Sequence, residues 1–346
     1  MIMKKLISLF LALTLSLSLA ACGTEGPAEP TLGENQVLDG AGRILDIPEE
    51  PDKATIASVY AVSVPFIEAL GLGDRVLAIN VKSNFWKEAD PALAEAGSVG
   101  RGTVDLEALA AFGPSVLIHR SNDNETVEAV QRINIPVLCI TVEDMEDITE
   151  TLTMMGRYFG AEDRAAEVIA WMNGKFQMID SIVSQIPEAE RKSVLVLGGE
   201  SGRIAGGDML QAWMAEKAGG IYVAENTANN RNWVNVGVEQ VFTWDPDFIF
   251  ATSSTPLDYS IEELMEADAW SAVAAVKEDH FHQIPAKLDS WDIPGVSCVI
   301  GTMYMLHKMY PEYFSQEQLE QEVAEYYEFM FGTTFDAGYL GYDLSK

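Results

Sequence analysis

Apolar positions along the chain fall into two alternating kinds of segment. Short continuous runs mark buried strands at 53–59, 75–81, 115–119, 137–141, 192–197, 248–251 and 280–284. Between them, apolar residues recur at helical spacing. One such stretch passes through Val64, Ile67 and Leu70 and is capped by Gly71-Leu72-Gly73. Another covers 143–159 and stops at Gly160. A third, 162–186, carries Ala165, Val168, Ile169, Met172, Phe176, Ile179, Ile182, Val183 and Ile186 with no internal proline, and Pro187 closes it. At 1.5 Å per residue that helix is ~37 Å long, enough to cross a small domain. Segments 295–310 and 316–331 read as two further helices. The alternation predicts an α/β fold with mostly parallel sheets covered on both faces.

The pattern repeats once. Segment 104–118 aligns without a gap on 236–250, with Glu107 on Glu239 and Pro114 on Pro246. Each copy reads as a short helix, a proline-marked turn and an apolar strand. A recurring unit of this kind predicts two similar α/β lobes with a ligand cleft between them. The long helix separates the copies and is the natural connector. The expected organisation is a leader at 1–22, a tether at 23–35, an N-terminal lobe at 36–160, the connecting helix at 161–187, and a C-terminal lobe with the last helices at 188–346.

The leader has Lys4 and Lys5 ahead of an apolar stretch at 6–20, and ~15 residues is short for a membrane span. It ends in Leu19-Ala20-Ala21-Cys22, which resembles the lipobox of bacterial lipoproteins. That resemblance implies cleavage before Cys22 and a diacylglycerol on its sulfur. The Gly- and Pro-containing run behind it reads as a flexible tether. No second apolar run reaches transmembrane length, so the body is expected outside the cytoplasm, anchored to the cell membrane by lipid alone.

Composition narrows the classes. A length of 346 residues fits about two domains, and 48% hydrophobic residues supply packed cores. The net charge of −31 argues against nucleic acid, whose phosphates require clustered Lys and Arg. Cys139 and Cys298 lie on opposite sides of the connector, and no cysteine spacing is of metal-binding type.

Several segments together carry a family likeness. They are Ala54-Thr55-Ile56-Ala57 with Glu68-Ala69-Leu70-Gly71-Leu72-Gly73-Asp74-Arg75, then Val104-Asp105-Leu106-Glu107 with Gly113-Pro114-Ser115-Val116, then Ala218-Gly219-Gly220, Trp233 to Val241 with Asp245-Pro246-Asp247, and Ala274-Ala275-Val276-Lys277. Over residues 36–331 the chain resembles the substrate-binding lipoproteins of ATP-driven importers for ferric siderophores, haem and cobalamin. The resemblance implies two Rossmann-like lobes of the class III solute-binding type, joined by one rigid helix with little hinge closure. It implies a monomeric receptor that delivers a small-molecule metal chelate to a permease and its ATPase, without enzymatic chemistry and without a cofactor of its own.

Ligands of such folds meet loops beyond the carboxyl ends of strands. Those loops carry Tyr60, Arg101, His119, Arg120, Arg203, Arg231, Trp233, Lys287 and Trp291. The five cations would form a positive pocket, because arginine's forked donors suit carboxylate or catecholate oxygens. The alternative is that they pair with the abundant Asp and Glu. Trp233 and Trp291 would stack on a flat chelate. His119 ends a strand and would hydrogen-bond a ligand or cap a metal's open position. His280 and His282 alternate onto one strand face but lack a third ligand, so no resident metal is assigned. The glycine-rich run 198–207 lacks the order of a nucleotide-binding loop and suits close backbone approach to a ligand. By the resemblance, Arg101, Arg120, Trp233 and the loop 287–291 contact ligand, and each lobe presents an acidic residue to the permease. Glu125 and Glu262 are the candidates. The favoured cargo is an anionic ferric siderophore; cobalamin or haem is the alternative for the same receptor. A two-lobe enzyme is the rival of another class, with His119 and Asp123 its only candidate pair.

Overall fold

The computed structural model describes residues 31–83, 86–227, 231–285, 289–332, 334, 335 and 340. Strands β1 (Gln36–Leu38) and β2 (Ile44–Asp46) form an antiparallel hairpin. The first lobe follows as β3 (Ile56–Ser58), α1 (Val64–Ala69), β4 (Val76–Ile79), α2 (Trp86–Ala89), β5 (Gly97–Ser98), α3 (Leu106–Phe112), β6 (Val116–Arg120), α4 (Asn124–Gln131), β7 (Val137–Ile140) and α5 (Met145–Phe159). Its sheet is parallel throughout, in the order β5-β4-β3-β6-β7. Helix α6 (Glu162–Val183) leads to the second lobe. That lobe comprises β8 (Ser193–Leu197), β9 (Arg203–Ile204), α7 (Leu210–Lys217), β10 (Ile221–Tyr222), β11 (Val234–Asn235), α8 (Val238–Trp244), β12 (Phe248–Ala251), α9 (Ile261–Glu266), α10 (Ala274–Lys277), β13 (Phe281–Gln283), α11 (Cys298–Met309) and α12 (Gln316–Phe331). Its strands run β11-β9-β8-β12-β13, with β10 also on β8; β9 pairs antiparallel with both of its neighbours, and the other pairs are parallel.

The sequence repeat is realised as α3–β6 and α8–β12. Each helix has seven residues and ends on a left-handed residue, Gly113 at φ 57° and Asp245 at φ 43°, just before the matched proline. Aspartate is uncommon in that conformation. Here its side chain accepts the Ala274 amide at 2.8 Å, which ties the turn to the start of α10.

Alternation along β6 explains how the core is shared. Val116 and Ile118 face α1, α5 and α6, and this apolar mass continues without a break through Phe176, Ile179 and Val183 into Val194–Leu197 and α11 of the second lobe. Leu117 faces the other way, against Leu109 of α3 and Val127 and Val130 of α4. Two lobes that share one core have little freedom to move independently.

Helix α12 adds a further tie. Lys175 of α6 pairs with Glu322 and Glu325 of α12 at 2.7 and 2.6 Å. Arg164 donates to Ala69 O of α1 at 2.9 Å and to Phe329 O of α12 at 3.0 Å, and its guanidinium lies over the Phe329 ring. The Phe331 ring packs against Trp86 of the first lobe, tilted by 30° with the centroids 5.9 Å apart. Helix α12 therefore bridges back to where the chain began.

The expected strands and long helices form with ends shifted by a few residues. Helix α6 stops at Val183, and Ile186 is buried in the turn beyond it. The hairpin and the two-residue strands β5, β9, β10 and β11 lie outside the sequence expectation, because such short segments carry no measurable period. The hairpin is fixed by Asp39, 4% exposed. Its carboxylate accepts the amides of Ala41, Arg43 and Cys139 at 3.0, 2.9 and 3.1 Å and the Arg43 guanidinium at 2.5 Å. Arg43 also donates to Val137 O at 2.8 Å, so the hairpin covers the sheet edge at β7. Asp39→Ala would orphan these donors and is expected to cost ~3 kcal/mol, read as a lower urea midpoint. A midpoint equal to wild type would show that the hairpin does not contribute.

Candidate functional site

In each sheet the chain first moves to one side of its opening strand and later to the other. From β3 it passes to β4 and then to β6; from β8 it passes to β9 and β10 and then to β12. Crevices open above the carboxyl ends of strands at such switch points. In the first lobe that position holds Tyr60, after β3, and Arg120, at the end of β6. In the second it holds Gly198, after β8, and Thr252-Ser253-Ser254, after β12.

Tyr60 is half-buried, with its ring edge-on to His119 at 6.4 Å. Burial, and then Glu143, push its hydroxyl up to about 12, so it remains a donor. His119 is 2% exposed, and its Nε2 lies 3.1 Å from Asp123 Oδ2. Asp123 also accepts from Arg120 at 3.1 Å and from the Thr126 amide and hydroxyl at 3.2 and 3.0 Å. Burial opposes ionisation of Asp123, but these donors outweigh it and hold the carboxyl well below its usual range. Burial lowers the His119 pKa against the pull of Asp123. The pair is thus a neutral imidazole donating through Nε2 to a helix-capping aspartate.

The expected positive pocket is not what the chain builds. Arg120 faces Asp123 at 3.1 Å, Arg203 faces Glu200 at 3.6 Å, and Arg231 faces Asp144 at 2.5 Å. The alternative weighed for these arginines, pairing with carboxylates, holds for all three. Asp123 and Asp144 are both helix caps just beyond strand ends. The Arg120 and Arg203 pairs are local in sequence, whereas Arg231 reaches Asp144 from the other lobe. Arg101 is exposed on a turn flanked by Gly100 and Gly102, at φ 120° and 85°, and makes no ion pair among the described residues. Lys287 and Cys22 lie outside the described residues.

The tryptophans divide. Trp233 is half-buried, and its ring stands 2.9 Å from where a Cβ on Gly198 would lie. Tyr259 donates to Gly198 O at 3.0 Å. The close approach permitted by the glycine run is therefore to the protein's own Trp233, and at Gly207 to the Glu225 backbone, rather than to a ligand. Trp291 is 1% exposed and donates to Tyr327 OH at 3.1 Å. The packing of α11 and α12 encloses it, so it is a core residue and not a wall of the cleft. His280 stacks on Phe248 at 4.1 Å, and His282 lies 6.2 Å from Phe250. Both rings belong to an aromatic layer of the second lobe.

The residues missed from sequence are hydroxyls and carboxylates. Asp292 is fully buried and accepts the Ser253 amide at 3.0 Å, the hydroxyls of Ser253 and Ser290 at 2.7 and 2.9 Å, and that of Thr252. It fixes the loop after β12. The signal was the hydroxyl run 252–254 directly behind a strand. Glu125 and Glu262 sit exposed in the first turns of α4 and α9, the helices that follow the repeated strands, and Glu262 accepts from Ser260 at 2.8 Å. Among the described residues no group of His, Cys, Asp and Glu side chains is poised to hold a metal ion, and no helix is long and apolar enough to cross a membrane.

Comparison with known proteins gives a consistent picture. A family model described as periplasmic binding protein matches residues 56–288. An ABC transporter substrate-binding lipoprotein of Bacillus subtilis, YvrC, is 24% identical, covering 91% of this chain and 100% of that protein. The molybdate-binding protein MolA of Haemophilus influenzae is 23% identical over 92% of this chain and 96% of its own, and the petrobactin-binding protein YclQ of Bacillus subtilis is 23% identical over 80% and 90%. In three dimensions the chain is similar to a periplasmic solute-binding protein of Veillonella parvula, with a TM-score of 0.72 and 21% identity over 88% of this chain and 95% of that one. It is similar also to MolA bound to molybdate, with a TM-score of 0.74 and 16% identity over 87% and 99%.

Asp289, next to the buried loop, offers a test of the local packing. It is 1% exposed, accepts Tyr326 OH at 2.7 Å, and is pushed by burial up to about 7. A carboxyl raised above its unfolded value of about 4 binds its proton more tightly in the native state, so its contribution to stability is lost as pH rises from about 4 to 7. Asp289→Asn should therefore match wild type near pH 4 and gain in melting temperature across that window. A difference independent of pH would contradict the burial of this carboxyl.

Proposed function

This chain belongs to the periplasmic binding protein family, as the solute-binding protein of an ABC transporter, and we propose that its cargo is an iron complex of the ferric siderophore class. The family is one of binding proteins, so no covalent step is sought. The observation that supports this cargo is the balance of the crevice: an aromatic residue stands at the strand ends of each lobe, Tyr60 and Trp233, while Arg120, Arg203 and Arg231 are each already met by a carboxylate. A bare tetrahedral oxyanion would need unopposed donors. A bulky, largely neutral chelate needs apolar and aromatic walls with a few orienting polar groups. An uncharged corrinoid fits the same balance and is the second reading. Arg101, Arg120, His119 and Tyr60 from the first lobe and Arg203, Arg231 and Trp233 from the second are the contacts we assign, with Lys287 as a further candidate.

The receptor is proposed to be held at the outer face of the cell membrane by lipid on Cys22, and to dock on its permease through Glu125 and Glu262. Purified protein should show saturable quenching of tryptophan fluorescence by a ferric siderophore at micromolar concentration. No response to any siderophore, haem or corrinoid would rule out the reading. In cells that depend on this receptor, two variants should both lose chelate uptake while keeping chelate affinity. Cys22→Ser would do so by release into the medium, and the Glu125→Arg/Glu262→Arg pair by failure at the permease. Uptake at the wild-type rate by either variant would remove the corresponding assignment.

A further inference from the structure

We propose that Asp144 determines the charge of the ligand: it competes with the ligand for Arg231 and so favours uncharged over anionic metal chelates. The proposal rests on the reading of the chain as a metal-chelate receptor.

Of the three carboxylate–arginine pairs at the crevice, only this one joins the two lobes. Asp144 follows β7 of the first lobe, and Arg231 precedes β11 of the second. The two differ in how firmly they are held. Asp144 Oδ1 accepts the Asp147 amide at 3.0 Å and caps α5, while Asp147 Oδ2 accepts the Glu143 amide at 2.9 Å. The Glu143 carbonyl is fixed in turn by the Leu210 amide of the second lobe at 3.2 Å. The carboxylate is thus pre-positioned, with its second oxygen 2.5 Å from the guanidinium. The Arg231 side chain is 57% exposed against 24% for Asp144, so the arginine is the partner with room to swing.

An anionic ligand that takes the Nη2 edge of Arg231 displaces Asp144. It then leaves that carboxylate uncompensated beside Glu143 and Asp147, close to the incoming charge. A neutral chelate meets neither penalty. Discrimination of this kind comes from a repulsive element built against the wrong ligand, not from extra contacts to the right one. The other pairs cannot serve equally. Asp123 is also held by His119 and Thr126, and Glu200 lies three residues from Arg203 in the same lobe at 3.6 Å.

The test compares a neutral ferric trihydroxamate with a trianionic ferric tricatecholate, by fluorescence titration of the purified protein at low salt. Asparagine caps helices as well as aspartate, so Asp144→Asn removes the charge and keeps α5. Wild type should prefer the trihydroxamate. Asp144→Asn should bind the tricatecholate about five- to tenfold more tightly and leave trihydroxamate affinity within about twofold. Adding Arg231→Gln to that variant should abolish the gain. An unchanged ratio of the two affinities, or an equal rise in both, overturns the assignment of Asp144 while leaving the receptor reading intact. No binding of either chelate by either protein overturns the ferric-siderophore reading of the cargo, and this assignment with it.

Discussion

Everything in this molecule depends on one apolar mass that runs through both lobes. Helix α6 is buried along Val168, Met172, Phe176, Ile179 and Val183, and the face of the first sheet that carries Ile56 and Ile118 continues through it to Val194–Leu197. A hinge would have to open this core and expose its side chains to water, at a cost of ~25 cal/mol for every Å². The lobes are therefore a frame, and the strand ends above them are held at a set separation. Recognition in such a frame falls to side chains and loops at the crevice and not to domain closure.

Charge at the crevice follows from helix capping. The chain has 53 acidic and 22 basic residues, so most loop arginines have a carboxylate within reach. Asp123 and Asp144 reach them because each sits where a strand gives way to a helix and its carboxylate is already bound to a backbone amide. One residue type thereby caps the helices and pairs with the loop arginines. The same economy appears at Asp292, whose buried carboxylate gathers the amide and hydroxyls of the loop behind β12.

The architecture was largely legible in the sequence. Parallel strands buried on both faces read as apolar runs, α6 as a sustained period, and the repeat as two copies of a helix–turn–strand unit. The left-handed turns at Gly113 and Asp245 show that the copies match in backbone as well as in pattern. The site was legible only as a set of loops. Position after a strand picks out Tyr60 and Arg120, and position before the second repeat picks out Trp233, but not what faces them. Trp291 occupies an equally suggestive place and is enclosed, because burial there is decided by the packing of α11 and α12, far along the chain. Pairing of Arg231 with Asp144 crosses from one lobe to the other, and no local pattern encodes it. The hairpin at Asp39 is too short to show a period, and what fixes it is the backbone of β7, roughly a hundred residues on.

Helix α12 has a consequence for how the molecule is made. Its contacts reach residues from almost the whole length of the chain: Phe331 against Trp86, Phe329 against Arg164, Tyr326 against Asp289. A ribosome supplies these partners from 37 to 245 residues apart in the sequence, and domains consolidate in the order in which their pieces appear. The cover that Phe331 gives Trp86 arrives last. The nascent polypeptide therefore lacks these contacts between its halves until α12 has emerged, and its two halves are less firmly joined until then than in the finished frame.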